Sequence, residues 1–127
     1  MLDMTAYIPR GKSDTRRAMA AAALGYPGIE PILGDLLAWT ADGNWPVARI
    51  LDELLASVGP PLAPHVRLVL ASNDNTWKYF LLVDIVAYSE TLASALMPEL
   101  QRLVTAPTIG EQSEGVDEIA AEIISVL

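Results

Sequence analysis

The chain has no cysteine and a single histidine, His65. Without cysteine there can be no disulfide, thiolate zinc site or cysteine nucleophile, and a reducing, cytoplasmic setting is the expectation. One histidine rules out a histidine pair on a metal and any two-histidine mechanism. Long apolar runs are missing too. The longest stretch without a charged or histidine side chain, Ala18 to Ile29, has twelve residues and contains Gly25 and Pro27, which is too short to span a bilayer. Positive charge is scarce: eight Lys and Arg face sixteen acids, giving a net charge of -8. Nucleic acid and anionic membranes are therefore disfavoured as partners, and basic proteins are favoured. The imbalance is uneven, because residues 1–20 carry +2 and the remainder -10.

Catalytic and cofactor motifs are also missing, and no cofactor is expected. There is no Gly-x-Gly-x-x-Gly, and no serine stands in Gly-x-Ser-x-Gly. Gly11-Lys12-Ser13 has the tail of a phosphate-binding loop, but position 6 is Ala6 where the loop needs glycine. Asn73-Asp74-Asn75 lacks the glycine and distal glutamate of a calcium loop; helix capping explains it better. Arg16-Arg17 before an alanine-rich run reads as the start of a helix rather than as an export signal.

What is present is a repeat. Pro31, Pro64 and Pro98 lie 33 and 34 residues apart, in the settings Glu30-Pro31-Ile32-Leu33, Ala63-Pro64-His65-Val66 and Met97-Pro98-Glu99-Leu100. A second echo, Asn44-Trp45 and Thr76-Trp77, follows the first two prolines. A period in the low thirties marks stacked helical hairpins. At 52% hydrophobic residues the chain can bury a core, and residues 1–127 read as one domain with a lead-in over 1–13.

Seven helices and no strand are expected. Asp14 caps the first and Gly25 ends it. Ile29, Ile32, Leu33, Leu36, Leu37 and Thr40 share a face of the second. Asn44 caps the third, with Pro46 in its first turn and Arg49 and Glu53 as an exposed pair. Gly59-Pro60-Pro61 separates it from the fourth, which carries Leu62, Val66, Val69 and Leu70 inward. The fifth, Thr76 to Tyr88, is apolar nearly all round and should be covered on several sides. Leu92, Leu96, Leu100 and Leu103 line the sixth. The seventh, within an acidic cap over 111–127, sets Val116, Ile119, Ala120 and Ile123 against Glu114, Glu118 and Glu122. The third unit has no second tryptophan, so the array should end there.

Gly25-Tyr26-Pro27 through Pro31, Asn44-Trp45-Pro46-Val47-Ala48, and Asn73-Asp74 with Trp77-Lys78-Tyr79 carry a resemblance. With Ile8-Pro9 and Lys12-Ser13-Asp14, they resemble the short bacterial HEAT-like repeat proteins known only as a domain of unknown function, over residues 7 to 124. The resemblance implies an all-α stack of antiparallel helix pairs. It implies no activity. Proteins similar to these occur among candidate immunity factors of bacterial toxin systems, an analogy of fold alone.

Five residues are candidates for partner binding: Trp39, His65, Lys78, Tyr79 and Asp84. Trp45 and Trp77 occupy matching repeat positions and read as core, which leaves Trp39 the tryptophan to reach the surface. His65, at the edge of an apolar stripe, reads as packed between helices. Lys78 and Tyr79 point off the main stripe, with Asp74 available to pair with Lys78. Asp84 falls among Trp77, Phe80, Leu81 and Tyr88. A carboxylate there needs a partner, and a link to the neighbouring helix is favoured over a perturbed carboxylate in a pocket. Asp35, Asp52 and Glu53 read as solvated.

The leading expectation is a non-enzymatic protein-binding module: an all-α, HEAT-like solenoid of about three helix pairs with a C-terminal capping helix. Its partner would be a basic protein, including a bacterial toxin that it neutralises as an immunity protein. The rival is a small-molecule-binding protein or hydrolase in which Asp84 and His65 share a closed pocket. A scaffold or regulatory subunit is the third reading.

Overall fold

A computed structural model describes residues 3–127; the first two residues of the lead-in lie outside that range. The described residues are helical, without a strand, and form nine α-helices joined by turns and short 3₁₀ segments. They are α1 (Thr15–Leu24), α2 (Leu33–Ala38), α3 (Pro46–Val58), α4 (Ala63–Leu70), α5 (Asn75–Asp84), α6 (Glu90–Ala95), α7 (Met97–Thr105), α8 (Ile109–Ser113) and α9 (Val116–Ser125).

Most boundaries follow local chemistry. Asp14 accepts from the backbone N–H of Arg17, and Gly25 ends α1 at φ 69°, a conformation that favours glycine. Pro46 is the first residue of α3, and Gly59 ends it at φ 76°. The cap of α3 is Trp45 with no side-chain hydrogen bond, in place of the expected Asn44. Among the described residues of the lead-in, Met4–Tyr7 form a 3₁₀ turn under Asp3, and Lys12 C=O accepts from Val47 N–H at the start of α3.

The three spaced prolines do not bend helices; they open them. Pro31 lies in the 3₁₀ turn Glu30–Ile32 that leads into α2, and Pro64 and Pro98 are the second residues of α4 and α7. A missing N–H does no harm in a first turn. Two residues before each proline stand Ile29, Leu62 and Leu96, and two after stand Leu33, Val66 and Leu100; all six are buried. The repeat is therefore a repeat of burial as well as of sequence.

Two expected helices are divided. The sixth is α6 and α7, parted at Leu96 (φ -101°, ψ 12°), because Pro98 has no N–H to donate to the ladder. Its four leucines are all fully buried even so. The fifth ends at Asp84, and Val86–Tyr88 follow as a 3₁₀ turn beyond a distorted Ile85 (φ -122°, ψ -62°). After Thr105 the chain leaves the helix as expected, then re-enters at Ile109 as α8.

α1 packs on α3, α2 on α3 and α4, α5 on α4 and α9, and α9 also on α7 and α8. One continuous core of leucine, isoleucine, valine and alanine runs through these contacts. No helix among the described residues is long and apolar enough to cross a membrane.

Candidate functional site

On α3, Val47, Leu51, Leu54, Leu55 and Val58 go into the core. The opposite stripe, Arg49, Asp52, Glu53, Ala56 and Ser57, falls at i, i+3, i+4, i+7 and i+8 and so shares one helix face. That face is one wall of an open cleft of about 730 Å³, whose other wall is Asp84 and Tyr88. Three carboxylates face one guanidinium there. Asp84 is also the last residue of α5, where the helix dipole disfavours an anion by about 0.3–1 kcal/mol.

The turn between α2 and α3 closes on this cleft. A Cβ on Gly43 would lie 2.5 Å from the Phe80 ring and 2.9 Å from Asp84 Oδ2, so only glycine fits without moving both. Burial, followed by the neighbouring charge of Asp84, pushes the Asp52 carboxyl up to about 7. Burial raises Asp84 as well, and Arg49 opposes that rise. Burial thus raises both carboxyls, with the charge of Asp84 adding to the rise at Asp52 and Arg49 opposing it at Asp84. Asp52 is not the freely solvated residue its place on a polar face implied. Asp84 forms no ion pair to a neighbouring helix, so it is a perturbed carboxylate in a hollow rather than an inter-helix link.

The expected pair of Arg49 and Glu53 does not form. The ion pairs among the described residues are Arg17–Asp14, Arg67–Glu99, Lys78–Glu111 and Arg102–Glu111. Lys78 is a clear correction: it is buried, and its Nζ donates to Glu111 Oε2 at 3.0 Å instead of reaching Asp74 or a partner. Arg102 donates to both Glu111 oxygens at 2.6 and 2.8 Å, and Thr108 N–H donates to Oε1 at 2.8 Å. Hydrogen bonds from Arg102 foremost, then from Thr108 and Lys78, outweigh burial and hold Glu111 down at about 2. Thr108-x-x-Glu111 is a capping box, and that spacing was visible in the sequence although not read.

The remaining candidates are dispersed. Tyr79 borders a second acidic hollow with Glu114, Glu118 and Glu122. His65, half-buried as expected, lines a shallow hollow with Gly34, Leu68 and Trp77 that shares no residue with the cleft holding Asp84. Trp39, Trp45 and Trp77 are all half-buried against the core, so none stands apart as the surface tryptophan. Trp39 packs on Trp45 at a ring separation of 5.8 Å, whereas Trp77 Nε1 donates to Thr40 Oγ1 at 3.3 Å. The matching repeat positions of Trp45 and Trp77 also differ in register: Trp45 caps α3, but α5 is capped by Asp74, and Trp77 is its third residue.

An all-helical domain with an under-compensated acidic cleft is the class of protein that these features define. The family described as Domain of unknown function (DUF5071) matches residues 7–124, and the chain belongs to it. No curated protein matches the chain.

Proposed function

We propose that the domain is a short HEAT-like stack of about three antiparallel helix pairs closed by α9, and that it works as a non-enzymatic binding module for a basic protein. The repeated burial around Pro31, Pro64 and Pro98 supports the stack. The observation that carries the binding role is Asp52 and Asp84 facing one cleft with Arg49 as its one cation. A Lys or Arg side chain entering there would relieve the repulsion between the two acids and replace lost hydration, which makes the cleft a receptor for cations. Neutralisation of a basic toxin by an immunity protein is the form of this reading that the family resemblance suggests.

The direct test mixes the purified protein with candidate toxins encoded beside its gene and follows association by calorimetry. A complex with a basic candidate is expected, weaker as salt screens the charges and weaker again in Asp52→Asn with Asp84→Asn. If none of the candidates binds, the toxin form of the reading is lost. A complex indifferent to both the salt and the two substitutions would overturn the role of the cleft.

A second reading has one observation in its favour. The cleft volume of about 730 Å³ lies within the range of about 300–1,000 Å³ common for small-molecule sites, so a small cationic ligand is the alternative occupant. Arginine and guanidinium titrated against the free protein separate the two: saturation by a small cation at micromolar levels favours the alternative.

A further inference from the structure

The cleft that Asp52 and Asp84 share leaves both acids short of a partner. Asp52 lies within α3 and Asp84 ends α5, and neither forms an ion pair. Gly43 brings the turn after α2 against Asp84 and Phe80, so backbone flanks that carboxylate on one side. Ala56 and the Tyr88 ring add apolar atoms to the same walls, where an anion is solvated less well than in open water. Arg49 and Glu53 complete the charges lining the cleft. α1 and α2 pack on α3, and with the turn after α2 they carry Arg16, Arg17, Asp35 and Asp42. α4 and α9 pack on α5 and carry His65, Arg67, Asp117, Glu118 and Glu122. None of these lines the cleft.

We propose that a cation entering this cleft competes with a proton on the Asp52–Asp84 pair, so that the domain holds its basic partner at and above neutral pH and releases it as pH falls. The inference rests on the binding reading above and adds its regulation. Two facing carboxylates with too few cations can be neutralised in two ways. A proton on one of them removes the repulsion, and so does a guest ammonium or guanidinium. The two oppose each other, because a protonated Asp52 leaves the guest one charge fewer to meet. Burial foremost, then the charge of Asp84, puts the Asp52 carboxyl at about 7, and burial raises Asp84 as well. The exchange therefore falls near neutrality, where histidine is the usual switch. Its sign follows from linkage. The guest prefers the ionised pair, so binding is tightest above about pH 7, and binding below that expels a proton to solvent.

The experiment uses the full chain and an oligo-arginine peptide of about six residues, blocked at both ends. The charge of that probe is constant over the range, because arginine stays protonated. Calorimetry should show its affinity falling at least about tenfold from about pH 8 to about pH 5.5. At about pH 6.5, titrations in two buffers of unlike ionisation enthalpy should count about half a proton or more released per peptide bound. Asp52→Asn should change by less than about twofold over the same range and release no proton, with thermal melts to check its fold. Should that variant melt early, the proton count on the parent still decides. His65→Gln should keep the parent's pH dependence, since His65 lies in another hollow. Equal affinity of the parent at both pH values overturns the inference and leaves the acidic receptor standing. So does a pH dependence that survives Asp52→Asn, or one that disappears with His65→Gln. If the peptide fails to bind even at about pH 8, the receptor and its proton switch fall together.

Discussion

Glu111 and Asp52 are both carboxylates on helices of the same small domain, and they are driven in opposite directions. Glu111 is fully buried and held at about 2; Asp52 is only partly buried and pushed to about 7. Burial acts the same way on both, so the difference lies in their partners. Two of the chain's eight positive residues, Lys78 and Arg102, converge on Glu111 along with a backbone N–H. At the cleft, Arg49 faces three acids and forms an ion pair with none of them. In a chain this poor in cations, compensation is concentrated where it ties α5, α7 and α8 together and is sparse at the cleft.

The largest test of that contrast is Glu111→Ala, which leaves the buried Lys78 ammonium without an acceptor. A loss of about 3–5 kcal/mol in urea unfolding is expected, the range for breaking a buried ion pair. A loss much below this would put the two sites on the same footing. Next comes Gly43→Ala. Its methyl group must displace both Phe80 and Asp84, so a loss of about 1–3 kcal/mol is expected, together with a moved Asp84 signal in carboxyl NMR.

Asp52→Asn should act in the opposite sense. The Asp52 carboxyl titrates near 3.8 ordinarily and near 7 in the fold, so the folded state holds the extra proton between those values. Its contribution to stability is full below about pH 4 and lost as pH rises through about 7. Melting temperature measured from pH 4 to 8 should therefore carry a falling component in the parent that Asp52→Asn removes. The variant should be more stable at pH 8 by about 1–2 kcal/mol. Glu111 has the reverse slope, since its contribution is present above its ordinary 4.5 and disappears as pH falls toward about 2. The smallest effect belongs to Arg49→Gln. Loss of the opposing cation should move Asp84 further upward, read by the same NMR titration, while stability changes by less than about 0.5 kcal/mol.

Several features were open to inspection in the chain. Asp14 and Gly25 bound α1, Pro46 starts α3, and Leu92, Leu96, Leu100 and Leu103 are buried as their spacing required. These are contacts within a few residues, where backbone chemistry and helical period suffice. Asp84 stood out on the helical wheel for the same reason. Asp52 did not: its own helix offers it water, and its perturbation comes from α5 arriving opposite. Lys78 was misplaced because its partner is 33 residues away. Thr108 and Glu111 were legible as a capping box; that the same glutamate would also anchor two cations was not.

The amino-acid sequence alone determined the helical class, the repeat around the three prolines, the acidity and the lack of thiol or histidine-pair chemistry. Each of these follows from composition or from spacing along the chain, without knowing which helices pack together. Tertiary structure decided which charges meet. It put Glu111 between Lys78 and Arg102, set Asp52 across from Asp84, and left Tyr88 on the wall of two separate hollows. The physical reason is range: a helix face is fixed by neighbours three and four residues apart, but the field at a carboxylate is fixed by whatever packs against it.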